Sequence, residues 1–318
     1  MALNSPQRSV VLGANGQDGS LLVEQLLARG DAVLGLGRQA EPRHNEPTTQ
    51  YRYTNTDLRD ADELGCALEQ FGPTQVYHLA AIHGASGFPY EAVWGDALNV
   101  NLRSLHVVLE YGRVHNRDLR VAYASSSKVF GNPLCDTVSR STPKHGDCLY
   151  SITKIAADDL LAHYTREHGV FGAVAYLFNH ESTRRGTDYF IPILVGILAG
   201  ALRDRTYRQS VRTLDFYCDW GSAREYMGWF RSLLDLESPE RLIFATGEVR
   251  YARDFVAELF SRHGLNCNDH VVEEKDSHDA IAFAVDVEDT RTALGCGADT
   301  DIFAVCEEIL AASGSESQ

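Results

Sequence analysis

Residues 9–30 carry the pattern of a strand, a glycine-rich loop and a helix, in the sequence SVVLGANGQDGSLLVEQLLARG. The run SVVL predicts a buried strand, and the apolar residues of SLLVEQLLA recur at helical spacing. Three glycines stand between them, where the chain must turn tightly from the strand into the helix. The N–H groups at a helix start bind phosphate, so this loop predicts a dinucleotide site, with a purely structural turn as the alternative. The residues expected to contact the dinucleotide are Gly13, Asn15, Gly16, Gln17, Asp18 and Gly19.

Short apolar runs alternate with helical patterns through the first half of the chain. Further strand-like runs occur at residues 32–36, 75–79, 120–124 and 173–177, and a helical pattern covers 151–168. Strands separated by helices form parallel βαβ units. We therefore expect an α/β protein with a Rossmann-like doubly wound parallel sheet and a smaller mixed α/β C-terminal substrate lobe. The nucleotide-binding domain is predicted at residues 1–180 and about 213–245, and the lobe at 181–212 and 246–318.

Composition narrows the class of partner. The 318 residues include 29 Lys and Arg against 44 Asp and Glu, a net charge of −15, which argues against binding to nucleic acid or an anionic membrane surface. The most apolar later stretch, residues 191–202, is too short to span a bilayer. Seven scattered cysteines without a C-x-x-C pair favour reduced thiols and a cytoplasmic location. The histidines lack metal-ligand spacing, so no metal site is expected.

Arg38 lies at the end of the second predicted strand, at the position whose residue type distinguishes NAD from NADP. An acidic residue there would accept a bond from the ribose 2′-hydroxyl, whereas a guanidinium favours a 2′-phosphate. NADP is therefore expected, with NAD as the alternative if Arg38 only stacks on adenine or faces solvent. Asp57 and Leu58 follow the third strand and are expected near the adenine, although Asp57 also suits a helix N-cap.

Tyr150 and Lys154 carry the candidate chemistry. Their spacing of four places both side chains on one face of the helix that begins there. A nearby ammonium stabilises phenolate, so the pair is suited to exchanging a proton with a sugar hydroxyl. Ser126 closes the preceding strand, where its hydroxyl is placed to bind the same substrate oxygen. Asn101 begins another helix and orders either a water or a kink near this site, or only caps the helix.

Several longer motifs extend this pattern. HLAA occurs at residues 78–81, LFNHESTRRG at 177–186 and DWG at 219–221. With the glycine loop and the Tyr–Lys pair, they resemble the extended short-chain dehydrogenase/reductase (NAD-dependent epimerase/dehydratase) family, and within it the GDP-mannose 4,6-dehydratases. The resemblance implies a nucleotide-sugar substrate that is oxidised at C4. It also implies a homodimer or a dimer of dimers, built through the helices near residues 101–111 and 150–168.

The resemblance implies a role for each matching residue. Tyr150 would remove the proton of the C4 hydroxyl, Lys154 would hold the nicotinamide ribose and lower the proton affinity of Tyr150, and Ser126 would bind the C4 oxygen. Arg184 and Arg185 would either line the phosphates or form an exposed pair against a neighbouring subunit. Cofactor contacts are also implied for Leu79, Ala80 and Ala81, and substrate contacts for Ser127, Asn179, Glu181, Arg185 and Arg212.

Three departures from the family pattern leave the reaction open. Lys128 stands where the family has the glutamate that removes the C5 proton, and a lysine can do this only when neutral. Cys218 replaces an arginine before DWG, and no later R-P-x-E segment is evident near residues 277–280. Replacement charges are available at Arg203, Arg205, Arg208 and Arg212.

A 4,6-dehydratase is the favoured outcome. A 4-epimerase, 4-dehydrogenase or 4-keto-reductase that does not remove water is the alternative, and a non-catalytic NADP-binding sensor is a remote one. An intact Ser, Tyr and Lys set argues against the sensor, because fold alone does not require it.

Overall fold

The computed structural model describes residues 6–84, 88–274 and 280–315. Its strands are β1 (Arg8–Leu12), β2 (Ala32–Gly37), β3 (Tyr51–Asn55), β4 (Gln75–His78), β5 (Arg120–Ser126), β6 (Asp136–Val138), β7 (Phe171–Leu177), β8 (Asn179–Glu181), β9 (Gln209–Val211), β10 (Tyr217–Ser222), β11 (Arg241–Phe244), β12 (Val249–Tyr251), β13 (Val271–Glu273) and β14 (Phe283–Val285). Its helices are α1 (Gln17–Arg29), α2 (Ala61–Phe71), α3 (Trp94–Leu98), α4 (Ser104–Val114), α5 (Leu149–His168), α6 (Phe190–Arg203), α7 (Ala223–Ser232), α8 (Ala252–Ser261), α9 (Glu288–Leu294) and α10 (Ile302–Ser315).

Seven strands form one parallel sheet in the order β11-β7-β5-β4-β1-β2-β3. This confirms the Rossmann-like doubly wound sheet, and the five strands predicted individually lie within two residues of their observed ends. Apolar side chains cover both faces, because consecutive residues of a strand point to opposite sides. Val10 and Leu12 pack on one face, and Val11 packs on the other.

The strand order reverses between β1 and β4. In open α/β sheets, ligands bind at the carboxyl ends of the strands beside such a switch point. The glycine loop follows β1, and residues 79–81 follow β4 at the same edge. The topology therefore gathers the two predicted cofactor-binding segments at one place.

A second group of elements packs around its own apolar cluster and is called the lobe below; its role as a separate substrate domain stays a prediction. The helices α6, α8 and α10 enclose an apolar cluster with the three-stranded sheet β12-β10-β8. Leu214, Cys218 and Trp220 pack in this cluster, whereas Met227 and Phe230 of α7 pack on the main sheet. The stretch 213–245 therefore starts in the lobe and returns to the sheet at α7.

The structure shows where the cysteines and the apolar stretch 191–202 lie. All seven cysteines lie in the described part of the chain, and each is unpaired. Residues 191–202 lie in α6, a helix of 14 residues, and none of the described helices has the length and hydropathy of a membrane span.

Candidate active site

The glycine loop has no room for side chains. Gly13 has a φ of +92°, and a Cβ there would lie 2.9 Å from the nitrogen of Ala80. A Cβ on Gly19 would lie 2.1 Å from the carbonyl oxygen of Gly13. Glycine is required at both positions because any side chain would displace backbone.

The start of α1 suits a pyrophosphate. Gly16 is the N-cap and offers no side-chain acceptor to the first N–H groups of the helix. These donors and the positive end of the helix dipole favour an anion. The closely packed glycines and the uncapped helix start together fit a dinucleotide.

Asn15 supports the loop beyond β2. Its amide nitrogen donates to the carbonyl oxygen of Glu41 (2.9 Å) and to the hydroxyl of Tyr53 (3.1 Å), and its oxygen accepts from the backbone nitrogen of Arg43 (2.9 Å). This side chain therefore holds residues 41–43 against the phosphate loop.

Arg38 is exposed directly after β2, where the 2′ position of the ribose is expected. Hydrogen bonds from Arg59, with a smaller contribution from the charge of Arg38, hold the pKa of the Asp57 carboxyl below its usual range. The N-cap interpretation of Asp57 is wrong, because Asp60 caps α2 and accepts from the backbone nitrogens of the two residues after Ala61. Leu58 is buried in the core, and a contact of Asp57 or Leu58 with adenine stays a prediction.

Tyr150 and Lys154 lie together in the first turns of α5, beside the end of β5. The ammonium of Lys154 donates to the carbonyl oxygen of Ala124 (2.7 Å) and lies 5.6 Å from the ring centre of Tyr150. Burial lowers the pKa of Lys154 to about 7. Tyr150 is 7% exposed, and a hydrogen bond links it to Ser126. The three predicted catalytic residues are thus adjacent.

Burial dominates the electrostatics of Tyr150. It raises the pKa of Tyr150 above its usual value, and the hydrogen bond with Ser126 opposes this rise. That Lys154 lowers the proton affinity of Tyr150 stays a prediction; the ammonium of Lys154 is itself desolvated and donates to a backbone carbonyl. Tyr150 is therefore a phenol here and a base only once positive charge enters the site.

A buried network fixes the position of Tyr150. A π-helical turn, Asn99–Arg103, joins α3 to α4 and contains the fully buried Asn101. Its amide nitrogen donates to the hydroxyl of Thr153 (3.1 Å), which donates to the carbonyl oxygen of Tyr150 (2.7 Å). Its amide oxygen accepts from the backbone nitrogen of Ile82 (2.8 Å). Asn101 is thus not a helix cap, and the kink it occupies ties the segment after β4 to α5.

Lys128 lies in the turn that follows Ser126 and acts on His83, a neighbour of Tyr150. It follows the buried Ser127 in the turn that ends β5, and its backbone nitrogen lies 3.3 Å from the hydroxyl oxygen of Ser126. Its charge contributes to a lowered pKa of His83, whose ring centre is 4.5 Å from that of Tyr150.

The segment after β7 is bonded to the first turn of α1. The ring nitrogen Nε2 of His180 lies 3.0 Å from both carboxylate oxygens of Asp18, and Gln17 donates to the carbonyl oxygen of His180 (3.2 Å). The hydroxyl of Ser182 donates to Gln17 (2.9 Å). Asn179 is exposed at the start of this segment. Gln17 and Asp18 therefore connect the cofactor loop to the predicted substrate segment.

The two arginines of LFNHESTRRG have different partners. Arg184 forms an ion pair with Glu24 of α1, and Arg185 lies 3.7 Å over the ring of Tyr189. Both side chains are 18% exposed, so the expectation of an exposed pair is wrong. Glu181 is almost fully buried 3.5 Å from Arg185, and burial raises its pKa to about 7.

Arg212 and Cys218, which the sequence analysis also considered, both belong to the lobe. Arg212 is exposed after β9, in a small sheet of the lobe. Cys218 is buried in the lobe core, where burial raises its pKa. Of the segment 277–280, residues 277–279 lie outside the described residues. Across 6–84, 88–274 and 280–315, no group of three His, Cys, Asp or Glu side chains is arranged to hold a metal ion.

Two aromatic residues at the site were missed from the sequence. His83 follows HLAA, and Tyr189 precedes α6. Their rings are stacked with centres 6.5 Å apart, and His83 also contacts Tyr150. Neither belongs to a periodic pattern, and the only available signal was the proximity of His83 to a matched motif.

The parallel sheet, the glycine loop at its switch point and the adjoining Ser, Tyr and Lys define an extended short-chain dehydrogenase/reductase. Comparison with known sequences then specifies the branch. The sequence model of the GDP-mannose 4,6-dehydratases matches residues 10–294. The chain belongs to the GDP-mannose 4,6-dehydratase family, whose members modify nucleotide sugars.

Two curated relatives illustrate the match. GDP-mannose 4,6 dehydratase 1 of Arabidopsis thaliana is 30% identical over 284 residues, which cover 84% of this chain and 78% of the relative. The human GDP-mannose 4,6 dehydratase is 28% identical over 271 residues, 80% of this chain and 72% of the relative.

Solved structures support the fold. UDP-glucose 4-epimerase of Thermotoga maritima, determined with UDP-glucose, has a TM-score of 0.83 at 15% identity and covers 98% of this chain and 99% of its own. The dTDP-glucose 4,6-dehydratase of Bacillus anthracis, determined with NAD, has a TM-score of 0.80 at 14% identity, with 97% of each chain covered.

Proposed function

We propose that this protein is an NADP-dependent nucleotide-sugar 4,6-dehydratase whose reaction begins with oxidation of the sugar at C4. The observation that carries the proposal is the contact of Tyr150 with Ser126 and Lys154 at the sheet edge where the glycine loop opens. Membership of the GDP-mannose 4,6-dehydratase family supports the nucleotide-sugar substrate.

In the first step, Tyr150 takes the proton of the C4 hydroxyl while Ser126 donates a hydrogen bond to the C4 oxygen. The nicotinamide of bound NADP would supply the hydride acceptor for C4 and later the donor for C6, so the net change is loss of water. Tyr150 would become a phenolate more readily beside a positively charged nicotinamide, which would oppose the effect of burial. Lys154 adds to this charge when protonated, and a pKa near 7 lets it pass the proton on.

Lys128 is the proposed base for C5. The C4 ketone acidifies the C5 proton, and its removal drives loss of the C6 hydroxyl. Lys128 and Lys154 both act on His83, whose ring contacts Tyr150, so Lys128 lies close to the residue proposed at C4. Lys128→Met is therefore expected to leave C4 oxidation intact and to stop the loss of water.

Arg185 is the proposed anchor for the substrate phosphates. Its guanidinium covers the ring of Tyr189, and its neighbour Glu181 is buried and readily protonated, which leaves the cation available to an anion. Asn179 lies at the start of the same segment and is proposed to contact the sugar nucleotide, as are Ser127 and Arg212. We further propose a cytoplasmic homodimer or dimer of dimers.

Lys128 stands where the family has a glutamate, and this difference favours an alternative reaction that leaves C5 untouched. The enzyme would then be a 4-epimerase or a 4-oxidoreductase. Incubation with GDP-, UDP-, dTDP- and CDP-sugars, followed by mass spectrometry, separates these reactions. Loss of water supports the dehydratase, unchanged mass with altered chromatography supports the epimerase, and loss or gain of two hydrogens supports a dehydrogenase or a reductase.

Tyr150→Phe is the matched control for this panel. It keeps the ring but removes the proton acceptor, and turnover is expected to fall at least about 10²-fold. Tight NADP binding without turnover of any sugar by the wild-type protein would contradict the proposal and favour a sensor.

A further inference from the structure

His83 is held in a fixed relation to Tyr150. The residue before it, Ile82, donates its backbone N–H to the amide oxygen of Asn101. The other end of that amide bonds Thr153, which bonds the carbonyl oxygen of Tyr150. A single buried amide therefore sets the distance between the His83 segment and the tyrosine that carries the proposed chemistry.

Aromatic rings surround the imidazole. Its centre lies 4.5 Å from the ring of Tyr150, 6.4 Å from Tyr90 and 6.5 Å from Tyr189. The nitrogen Nδ1 faces the hydroxyl of Tyr189 at 3.4 Å. The geometry leaves Nε2 as the polar atom of the ring available to a ligand, while the ring faces offer an apolar wall to sugar C–H groups.

The imidazole is neutral at working pH. Burial is the main cause of a pKa of about 3, and the charges of Lys128, Arg185 and Lys154 add to it. The groups around His83 are thus the rings of Tyr90, Tyr150 and Tyr189 and the basic side chains of Lys128, Lys154 and Arg185, and none of them favours a proton on the imidazole. A neutral imidazole with Nδ1 directed at a hydroxyl has one donor and one acceptor and binds hydroxyl groups well.

We propose that His83 is a specificity residue that hydrogen-bonds the sugar hydroxyl at C3 through Nε2. The C4 oxygen must meet the hydroxyl of Tyr150, and C3 carries the ring hydroxyl next to C4. A ring in contact with Tyr150 is therefore placed beside that neighbour. The inference rests on the proposed function, since it takes Tyr150 to be the residue at C4.

The test compares sugar recognition with nucleotide recognition. His83→Phe keeps an aromatic ring of similar size and removes both nitrogens, and His83→Asn keeps a donor and an acceptor in a smaller group. For the best sugar nucleotide, kcat/KM is measured with the parent sugar, its 3-deoxy analogue and its 2-deoxy analogue. Titration calorimetry gives the affinities for NADP, for the nucleoside diphosphate and for the sugar nucleotide.

The wild-type protein is expected to prefer the parent over the 3-deoxy sugar by about tenfold, the upper range for one hydrogen bond between neutral groups. His83→Phe should lose this preference, mainly through KM, and His83→Asn should retain part of it. Preference over the 2-deoxy sugar and the affinities for NADP and nucleoside diphosphate should stay within about twofold. Because the imidazole is neutral, His83→Phe should leave the pH profile of kcat/KM unchanged above pH 5.

The inference would be overturned if His83→Phe still preferred the parent sugar over the 3-deoxy sugar. It would also be overturned if His83→Phe lost the preference over both deoxy sugars equally or bound NADP more weakly, since these results indicate simple packing against Tyr150. If the wild-type protein turns over no sugar, the proposed function fails. The calorimetric comparison of sugar nucleotide with nucleoside diphosphate then still decides the role of His83.

Discussion

The ion pair between Asp18 and His180 predicts a pH-dependent contribution to stability. His180 Nε2 lies 3.0 Å from both oxygens of Asp18, and its Nδ1 lies 2.6 Å from the carbonyl oxygen of Phe178. The imidazole is therefore held between two acceptors, and its hydrogen bond with Asp18 links α1 to the segment that contains β8. His180→Gln keeps one donor for Asp18 and removes the charge.

Two pKa shifts give the sign of the effect. Burial opposes the charge of both groups, but their mutual attraction and hydrogen bond raise the pKa of His180 above 6.5 and lower that of Asp18 from 3.8 to about 2. The His180 contribution is complete below pH 6.5 and is lost as the pH rises through the raised value. The Asp18 contribution is complete above pH 3.8 and is lost as the pH falls towards 2. The pair is thus strongest between these limits.

The expected magnitude follows from the burial of the pair. The side chains of His180 and Asp18 are 8% and 23% exposed, so solvent screens the interaction only in part. Hydrogen bonds to charged groups contribute about 1.5–3 kcal/mol, and we expect His180→Gln to cost about 2 kcal/mol at pH 5.5. At pH 8.5 the cost should be smaller, because the wild-type imidazole loses its charge as the pH rises through its raised pKa.

Urea unfolding at both pH values measures these costs. Asp18→Asn and the double variant complete a cycle, whose coupling energy should be at least about 1 kcal/mol at pH 5.5. A cost of His180→Gln that is equal at the two pH values, or additive single costs at pH 5.5, would show that His180 and Asp18 do not stabilise the fold as a charged pair.

Three further predictions concern the cofactor and assembly. Arg38→Ser should weaken NADP binding about 10–100-fold, the equivalent of one charge-assisted bond, and leave NAD binding unchanged; equal affinities for both in the wild-type protein would exclude a 2′-phosphate contact. Gly19→Ala should weaken NADP binding at least about tenfold because its Cβ would lie 2.1 Å from Gly13, whereas Gly65→Ala, whose Cβ meets nothing within 4 Å, should bind normally; normal binding by both would contradict the loop argument. Light scattering at micromolar concentration should give a dimer or tetramer mass, and Ile152→Glu on α5, where that side chain is 43% exposed, should reduce it; a monomeric wild-type mass would rule out the assembly.

The sheet could be predicted because each of its strands has a recognisable local sequence pattern. Strands buried on both faces read as short apolar runs, as Val10 to Leu12 do, and glycines mark the turn that follows β1. Ser126 and Tyr150 could be placed together because Ser126 ends β5 and the crossover helix α5 begins at the carboxyl edge of the parallel sheet.

The electrostatics and the long-range contacts could not be predicted. Asp18 and His180 are 162 residues apart, and no local pattern encodes their pairing. The lowered pKa of Lys154 depends on a burial that only the packed structure defines. Asp57 and Asp60 are both suited to cap α2, and only the backbone geometry selects Asp60.

Turnover in deuterated water follows the C5 proton that Lys128 is proposed to remove, and so reports whether the reaction proceeds from C4 oxidation to dehydration. With the preferred sugar nucleotide, the wild-type product should have lost one water and should carry deuterium at C5. Lys128→Met should give reduced NADP without loss of water. A wild-type product that has not lost water and carries no deuterium at C5 would contradict the proposed dehydratase reaction. A simple C4 oxidoreductase or 4-epimerase reaction would then remain.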